Sequence, residues 1–254
     1  MRLGFIGAGT MTAAMVEGLC AGGQSGFEVL LSPRGAVVAA DLARRFPEVT
    51  VAASNQMVVD GCDLVVLAIR PQVAEEVVRD LAFRPDQKVL SLIAATRIEW
   101  VRDWIGLDLP ITRAIPLPFV ANRKGVTPIY PPDREIAGLF ATLGSAVECQ
   151  TIQEFDLLAV GSALMGSYFG ILETAQDWLV EQGLPEPAAR AYLAGLFANL
   201  GGVAESGGTA FADLRQEYST KGGLNEQIFR VFGEEGGARA LQTALAQVLA
   251  RVRG

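Results

Sequence analysis

Gly7 and Gly9 stand one residue apart, between the apolar run Leu3-Gly4-Phe5-Ile6 and a stretch that opens at Thr10-Met11. Glycines so placed can build a phosphate cradle. The first permits a tight turn, the second lets the main chain approach a pyrophosphate, and free N–H groups of a helix starting at about Thr10 meet its charge. The surroundings suit this reading, because a strand precedes the turn, the apolar residues Ala14, Met15, Gly18 and Leu19 follow it, and a second strand is predicted over Phe27 to Leu31. Thr12 stands where the dinucleotide pattern has its third glycine. The competing reading is a glycine turn in an α/β protein that binds no cofactor.

The residues after the second strand bear on which dinucleotide is held. An Asp or Glu there would take a ribose 2′-hydroxyl, whereas a 2′-phosphate needs hydroxyls and a cation. The chain reads Leu31-Ser32-Pro33-Arg34, with no carboxylate close in sequence. Ser32 can donate to a phosphate and Arg34 can clamp it, so NADP(H) is expected in preference to NAD(H). Alternatively, Arg34 is an exposed residue opening the helix that carries Arg44 and Arg45.

Other chemistry is excluded by what is missing. The sequence has no histidine, which removes Ser-His-Asp and Cys-His catalysis and histidine-ligated zinc together. Cys20, Cys62 and Cys149 lie far apart in apolar settings without a Cys-x-x-Cys spacing, so no metal site is expected and the thiols read as reduced and cytoplasmic. A formal net charge of −7 argues against nucleic acid or an anionic membrane as partner. No apolar run is read as approaching the length of a membrane span. Any redox step must draw its reactive group from a cofactor.

The elements that position these residues fall into two kinds. Up to residue 150 short β-type runs alternate with helical ones: strands are predicted at Val49 to Ala52, Leu64 to Ile69, Lys88 to Ile93, Ile111 to Ala114, Val126 to Tyr130 and Ser145 to Glu148, and helices include Gln72 to Asp80 and Asp133 to Thr142. This gives an α/β, mainly parallel sheet covered on both faces. The character changes at Thr151-Ile152-Gln153-Glu154, a capping-box sequence, after which the chain reads as all-α. Breaks are predicted at Gly183 with Pro185, at Gly207-Gly208 and at Gly222-Gly223. In the last helix Leu241, Ala244, Leu245, Val248, Leu249 and Val252 form one stripe, and Tyr168 to Leu179 is apolar over more of its circumference. So much apolar surface on about 100 residues predicts a partner subunit. A compact monomeric bundle is the alternative.

With these residues in place, the chain resembles the pyrroline-5-carboxylate reductase family over nearly its whole length. The resemblance rests on Gly4-Phe5-Ile6-Gly7-Ala8-Gly9-x-Met11, on Leu67-Ala68-Ile69-Arg70-Pro71-Gln72, on Arg113-Ala114 before a proline-rich stretch, on Gly183-Leu184-Pro185, on Lys221-Gly222-Gly223 and on Glu234-Glu235-Gly236-Gly237. It implies an N-terminal Rossmann-type NADP-binding domain over 1–150 and a helical dimerisation and substrate domain over 151–254, making a homodimer through the C-terminal helices. It also implies reduction of the cyclic imine 1-pyrroline-5-carboxylate to proline with NAD(P)H. The cofactor site so implied comprises Gly7, Ala8, Gly9, Thr10, Met11, Ser32, Arg34, Asn55, Ala68, Ile69, Arg70 and Pro71. Asn55 is equally read as an Asx turn opening a helix.

Departures from the family pattern gather on the substrate side. Ile115-Pro116-Leu117-Pro118 replaces Met-Pro-Asn-Thr-Pro, Ser162-Ala163-Leu164-Met165-Gly166-Ser167-Tyr168 replaces Ser-Gly-Ser-Gly-Pro-Ala-Tyr, and Thr220-Lys221-Gly222-Gly223-Leu224-Asn225 replaces Ser-Pro-Gly-Gly-Thr-Thr. The expected roles follow from the resemblance. Backbone N–H groups of Gly222 and Gly223, with Thr220 and Lys221, take a substrate carboxylate, Asn225 donates to the developing amine, and Leu224 and Met165 line the pocket. Lys221 is alternatively a solvated loop lysine, Asn225 a helix N-cap and Tyr168 a packing residue. Two rival functions are a β-hydroxyacid-type carbonyl reductase and a non-catalytic NADP(H)-binding regulator. The first lacks its lysine, since none occurs between Lys124 and Lys221.

Overall fold

The computed structural model of the protein describes residues 1–21 and 26–253. Two compact units divide between Ala159 and Val160. That division lies beyond the change of character at Thr151, because the first turns of a helix that follows the last strand belong to the first unit.

In the first unit strands and helices alternate as β1 (Arg2–Ile6), α1 (Thr10–Cys20), β2 (Glu28–Leu31), α2 (Ala36–Arg45), β3 (Val49–Val51), α3 (Asn55–Asp60), β4 (Leu64–Leu67), α4 (Pro71–Arg79), β5 (Lys88–Ser91), α5 (Ile98–Ile105) and β6 (Ile111–Ala114). A 3-10 turn at Pro118–Asn122 then leads to β7 (Gly125–Tyr130), α6 (Arg134–Thr142), β8 (Gly144–Glu148) and α7 (Ile152–Ser162). The sheet runs β3-β2-β1-β4-β5-β6-β7-β8. It is parallel except where β7 runs against β6. Two cores form on its opposite faces: Leu3, Phe5, Val66 and Leu90 with α1 on one, Ile6, Val65, Leu67 and Val89 with α4 and α5 on the other. Every residue of β4 is buried, as a Leu-Val-Val-Leu run in a central strand requires. Strand order reverses between β1 and β4, and the carboxyl ends of these two strands bound the crevice where doubly wound sheets take ligands.

The second unit is helical: α8 (Leu164–Glu181), α9 (Glu186–Ser206), α10 (Phe211–Glu217), α11 (Leu224–Glu234) and α12 (Gly237–Arg253). The three predicted glycine breaks fall at the junctions between α8 and α11, and a fourth junction occurs at Gly236, whose φ is +84°. The capping box is present in altered form. Thr151 Oγ1 accepts from the Glu154 N–H at 3.2 Å, while the Glu154 carboxylate reaches past Thr151 to the Gln150 N–H at 2.7 Å.

This unit lacks a core of its own. Of the described residues beyond Val160, only Ala189 and Leu193 are buried apolar side chains, whereas Phe169, Trp178, Tyr192, Phe211 and Ile228 are more than half exposed. Along α12 no residue of the stripe is fully buried: Leu241 and Ala244 are exposed, and Leu245, Val248, Leu249 and Val252 are half-buried. The expectation that no apolar run reaches membrane-span length is corrected here, because Ile152–Glu181 is long and apolar enough by length and composition. Small residues such as Gly161, Gly166 and Gly170 conceal that hydropathy by separating its larger apolar side chains.

Candidate functional site

The glycine turn is held from three strands. Gly7 has φ +103°, and a Cβ there would stand 2.4 Å from the Ala68 carbonyl oxygen and 2.9 Å from Ile69 Cγ2, so only glycine lets β1 pass the end of β4. Both polar groups of Gly7 are engaged. Its N–H donates to Ser32 Oγ at 2.9 Å, and its carbonyl accepts from Thr12 Oγ1 at 2.6 Å. Ser32 and Thr12 are both fully buried. The Ser32 hydroxyl therefore braces the turn, a role that the sequence reading did not give it. Thr12, which replaces the third glycine, is the matching brace from α1.

Above the turn the chain is open. A Cβ on Gly9 would meet nothing within 4 Å. Gly9 is the N-cap of α1 and no side chain caps that helix, leaving its end to the backbone amides from Thr10 and Met11. The Ala8 N–H, by contrast, turns toward the Arg34 carbonyl at 3.3 Å. Ala68 N–H donates to the Ile6 carbonyl at 2.9 Å, which sets Ala68 and Ile69 beside Gly7. Arg70 then caps α4 from an extended backbone, with Pro71 as its first residue. The structure thus brings the cofactor-side residues to one edge of the sheet.

A cleft of about 330 Å³ opens beside this edge, lined by Pro33, Arg34, Ser54 and Asn55 on one side and by Glu76, Val77, Asp80 and Leu81 on the other. Ser54 caps α3 by accepting from the Met57 N–H at 3.1 Å, so Asn55 is not the capping residue. Instead Asn55 Oδ1 is buried without a hydrogen-bond partner. An unpaired buried acceptor is costly, and a ligand hydroxyl or amine would satisfy it. Together with the open space over Gly9, this orphan acceptor fits a dinucleotide. Glu76 and Asp80 correct one expectation: distant in sequence from Arg34, they are brought by the fold to the same cleft. Their spacing of four residues on the predicted helix marked them as sharing a face, but nothing in the sequence says what that face meets.

Arg113 on β6 gains a role that sequence alone did not assign. Its guanidinium stands over the Phe155 ring at 4.7 Å. Burial holds its pKa below the usual arginine range, and the charges of Asp156 and Glu99 oppose that shift. This buried cation ties β6 to α7 just before Ile115.

On the helical unit the loop Thr220–Asn225 is more self-satisfied than expected. Gly222 N–H donates to Glu226 Oε2 at 2.5 Å and Gly223 N–H to the Thr220 carbonyl at 2.8 Å. Neither amide is therefore free for a substrate carboxylate while the loop keeps this form. Asn225 Nδ2 donates to the Tyr218 carbonyl at 2.7 Å, and Gly223, not Asn225, is the N-cap of α11. Lys221 is exposed, Leu224 points largely to solvent, and Met165 lies on the first turn of α8. Tyr168 packs edge-on against Phe169 and Phe197, at 5.1 and 5.8 Å between ring centres.

Comparison with known proteins joins these two halves. Residues 2–95 match the sequence model described as NADP oxidoreductase, coenzyme F420-dependent, and residues 156–254 match that for pyrroline-5-carboxylate reductase dimerisation. The chain is 28% identical to the pyrroline-5-carboxylate reductase of Pseudomonas aeruginosa, over 96% of this chain and 93% of that one. It is also 28% identical to the Escherichia coli enzyme of that name, over 98% of this chain and 96% of the other. The chain is thus similar to pyrroline-5-carboxylate reductases over nearly its whole length, and its C-terminal part matches their dimerisation model. The family fold is seen in the Streptococcus pyogenes reductase, with a TM-score of 0.86 at 22% identity over 99% of this chain and 98% of that one. The Plasmodium falciparum reductase with NADP bound superposes at a TM-score of 0.82, 15% identical, over 99% and 97% of the two chains. A reductive aminase of Aspergillus terreus in complex with NADPH is less similar, at 0.61 and 16%, over 100% and 91%.

Proposed function

We propose that the protein reduces the C=N bond of 1-pyrroline-5-carboxylate to give proline, takes NADP(H) in preference to NAD(H), and works as a cytoplasmic homodimer joined by its C-terminal helices. The observation that carries this reading is the likeness to curated reductases over 96–98% of the chain, spanning dinucleotide turn and dimerisation helices alike. The cofactor, when bound, supplies hydride. The amides of Thr10 and Met11 would meet its pyrophosphate, Arg34 its 2′-phosphate and Asn55 Oδ1 a ribose hydroxyl. An imine nitrogen that is already protonated needs no strong acid, in keeping with a chain that has no histidine. Lys221 would draw in the substrate carboxylate, and the amide hydrogen of Asn225 not used on Tyr218 would reach the nitrogen. Cys62 and Cys149 are free thiols among the described residues, as suits a reducing compartment.

The Glu226 carboxylate on the Gly222 N–H favours one alternative, an imine without a carboxylate of its own. Turnover of NADPH with 1-pyrroline-5-carboxylate and with unsubstituted 1-pyrroline separates the two. Consumption of NADPH matched by proline formation supports the first; faster turnover of the unsubstituted ring supports the second. Binding of NADPH with turnover of neither would leave a regulator.

A further inference from the structure

We infer that Glu76 and Asp80 tune the choice between phosphorylated and unphosphorylated dinucleotide by opposing Arg34 across the cleft beside the glycine turn. This rests on the reading that the chain binds NAD(P)(H). The cleft is lined by one cation, Arg34, and two carboxylates, Glu76 on α4 and Asp80 at the C-cap that ends it, with Val77 and Leu81 beside them. Among the described residues neither carboxylate is in an ion pair. The neighbouring Arg79 is already taken by Glu75 and Asp103, at 2.9 and 2.5 Å. A dianionic 2′-phosphate in this cleft therefore meets an attraction and a repulsion together, whereas a ribose 2′-hydroxyl, having no net charge, meets neither at comparable strength.

Two further features favour a neutral hydroxyl. Asn55 Oδ1, buried and unpartnered, calls for a donor, which a hydroxyl is and a phosphate dianion is not. The walls are also braced. Gln56 Nε2 donates to the Ala82 carbonyl and the Ala82 N–H donates back to Gln56 Oε1, both at 2.9 Å, so α3 is tied to the chain leaving α4. The carboxylates are thus carried on a wall that holds its place. The preference for NADP(H) conferred by Arg34 is accordingly held down, and removing the carboxylates unmasks it.

The test is a fluorescence titration of NADPH and of NADH into the unmodified protein, the double variant Glu76→Gln with Asp80→Asn, and Arg34→Ala, at low and high salt. The double variant should tighten NADPH about three- to tenfold at low salt and leave NADH nearly unchanged, with the gain shrinking at about 0.5 M salt as screening shortens the reach of both charges. Arg34→Ala should move the NADPH-to-NADH ratio the other way. An unaltered ratio in a folded double variant that still binds both nucleotides overturns this inference alone. Failure of the unmodified protein to bind either nucleotide overturns the dinucleotide reading beneath it.

Discussion

At the scale of single residues, the glycine turn shows how a pattern can be legible while the role of its neighbour is not. Gly7 and Gly9 are legible because their spacing follows from backbone sterics. Ser32 is not, since a serine at the end of β2 reads the same whether its hydroxyl faces a ligand or the N–H of Gly7. The two roles predict different outcomes for Ser32→Ala. Loss of a buried brace should cost about 1–3 kcal/mol of stability, measured by urea unfolding, and leave the ratio of NADPH to NADH affinity unchanged. A fall in that ratio at undiminished stability would assign Ser32 to the phosphate site. Asn55 was likewise open to two readings, and Ser54 settles one of them by doing the capping itself.

At the scale of elements, strands and helices follow the sequence closely because apolar runs and caps are local. Asp133 illustrates the local signal: it begins the predicted helix, and its carboxylate accepts from the Glu135 and Ile136 N–H groups at 2.9 and 3.0 Å. Burial raises its pKa, but the Ile136 N–H, the Lys88 ammonium and the Glu135 N–H together hold it below the ordinary aspartate value. A depressed folded-state pKa stabilises above the unfolded value and loses that contribution as pH falls through the folded one. Asp133→Ala should therefore cost about 1 kcal/mol at pH 7, and the gap between variant and unmodified protein should close below about pH 4. An undiminished gap at pH 3 would assign the effect to something other than the charged cap. What local signals could not show is which residues α4 and its C-cap share a cleft with. Glu76 and Asp80 were legible as one side of a helix, yet their meeting with Arg34 depends on how β1, β2 and β4 are ordered in the sheet.

At the scale of the whole molecule, the apolar stripe of α12 was legible as a surface needing cover, and the helical unit has almost no buried side chains of its own with which to cover it. A second copy supplies the missing apolar contacts on the proposed reading. Sedimentation at micromolar concentration should show a dimer or larger assembly, and Leu245→Asp should aggregate or unfold, since each such side chain contributes about 1.5–3 kcal/mol when buried. A stable, well-behaved monomer would contradict the shared-core account. The substrate loop was the least legible part, because Glu226 lies one residue past the recognised motif and captures the Gly222 amide only once α11 has formed. The central claim is reduction at C=N, and the most direct measurement follows the hydrogen itself. With NADPH deuterated at the transferable C4 position and 1-pyrroline-5-carboxylate as substrate, the account predicts one deuterium on C5 of the proline formed. Proline carrying no deuterium, or bound NADPH that persists unoxidised beside the imine, would contradict it.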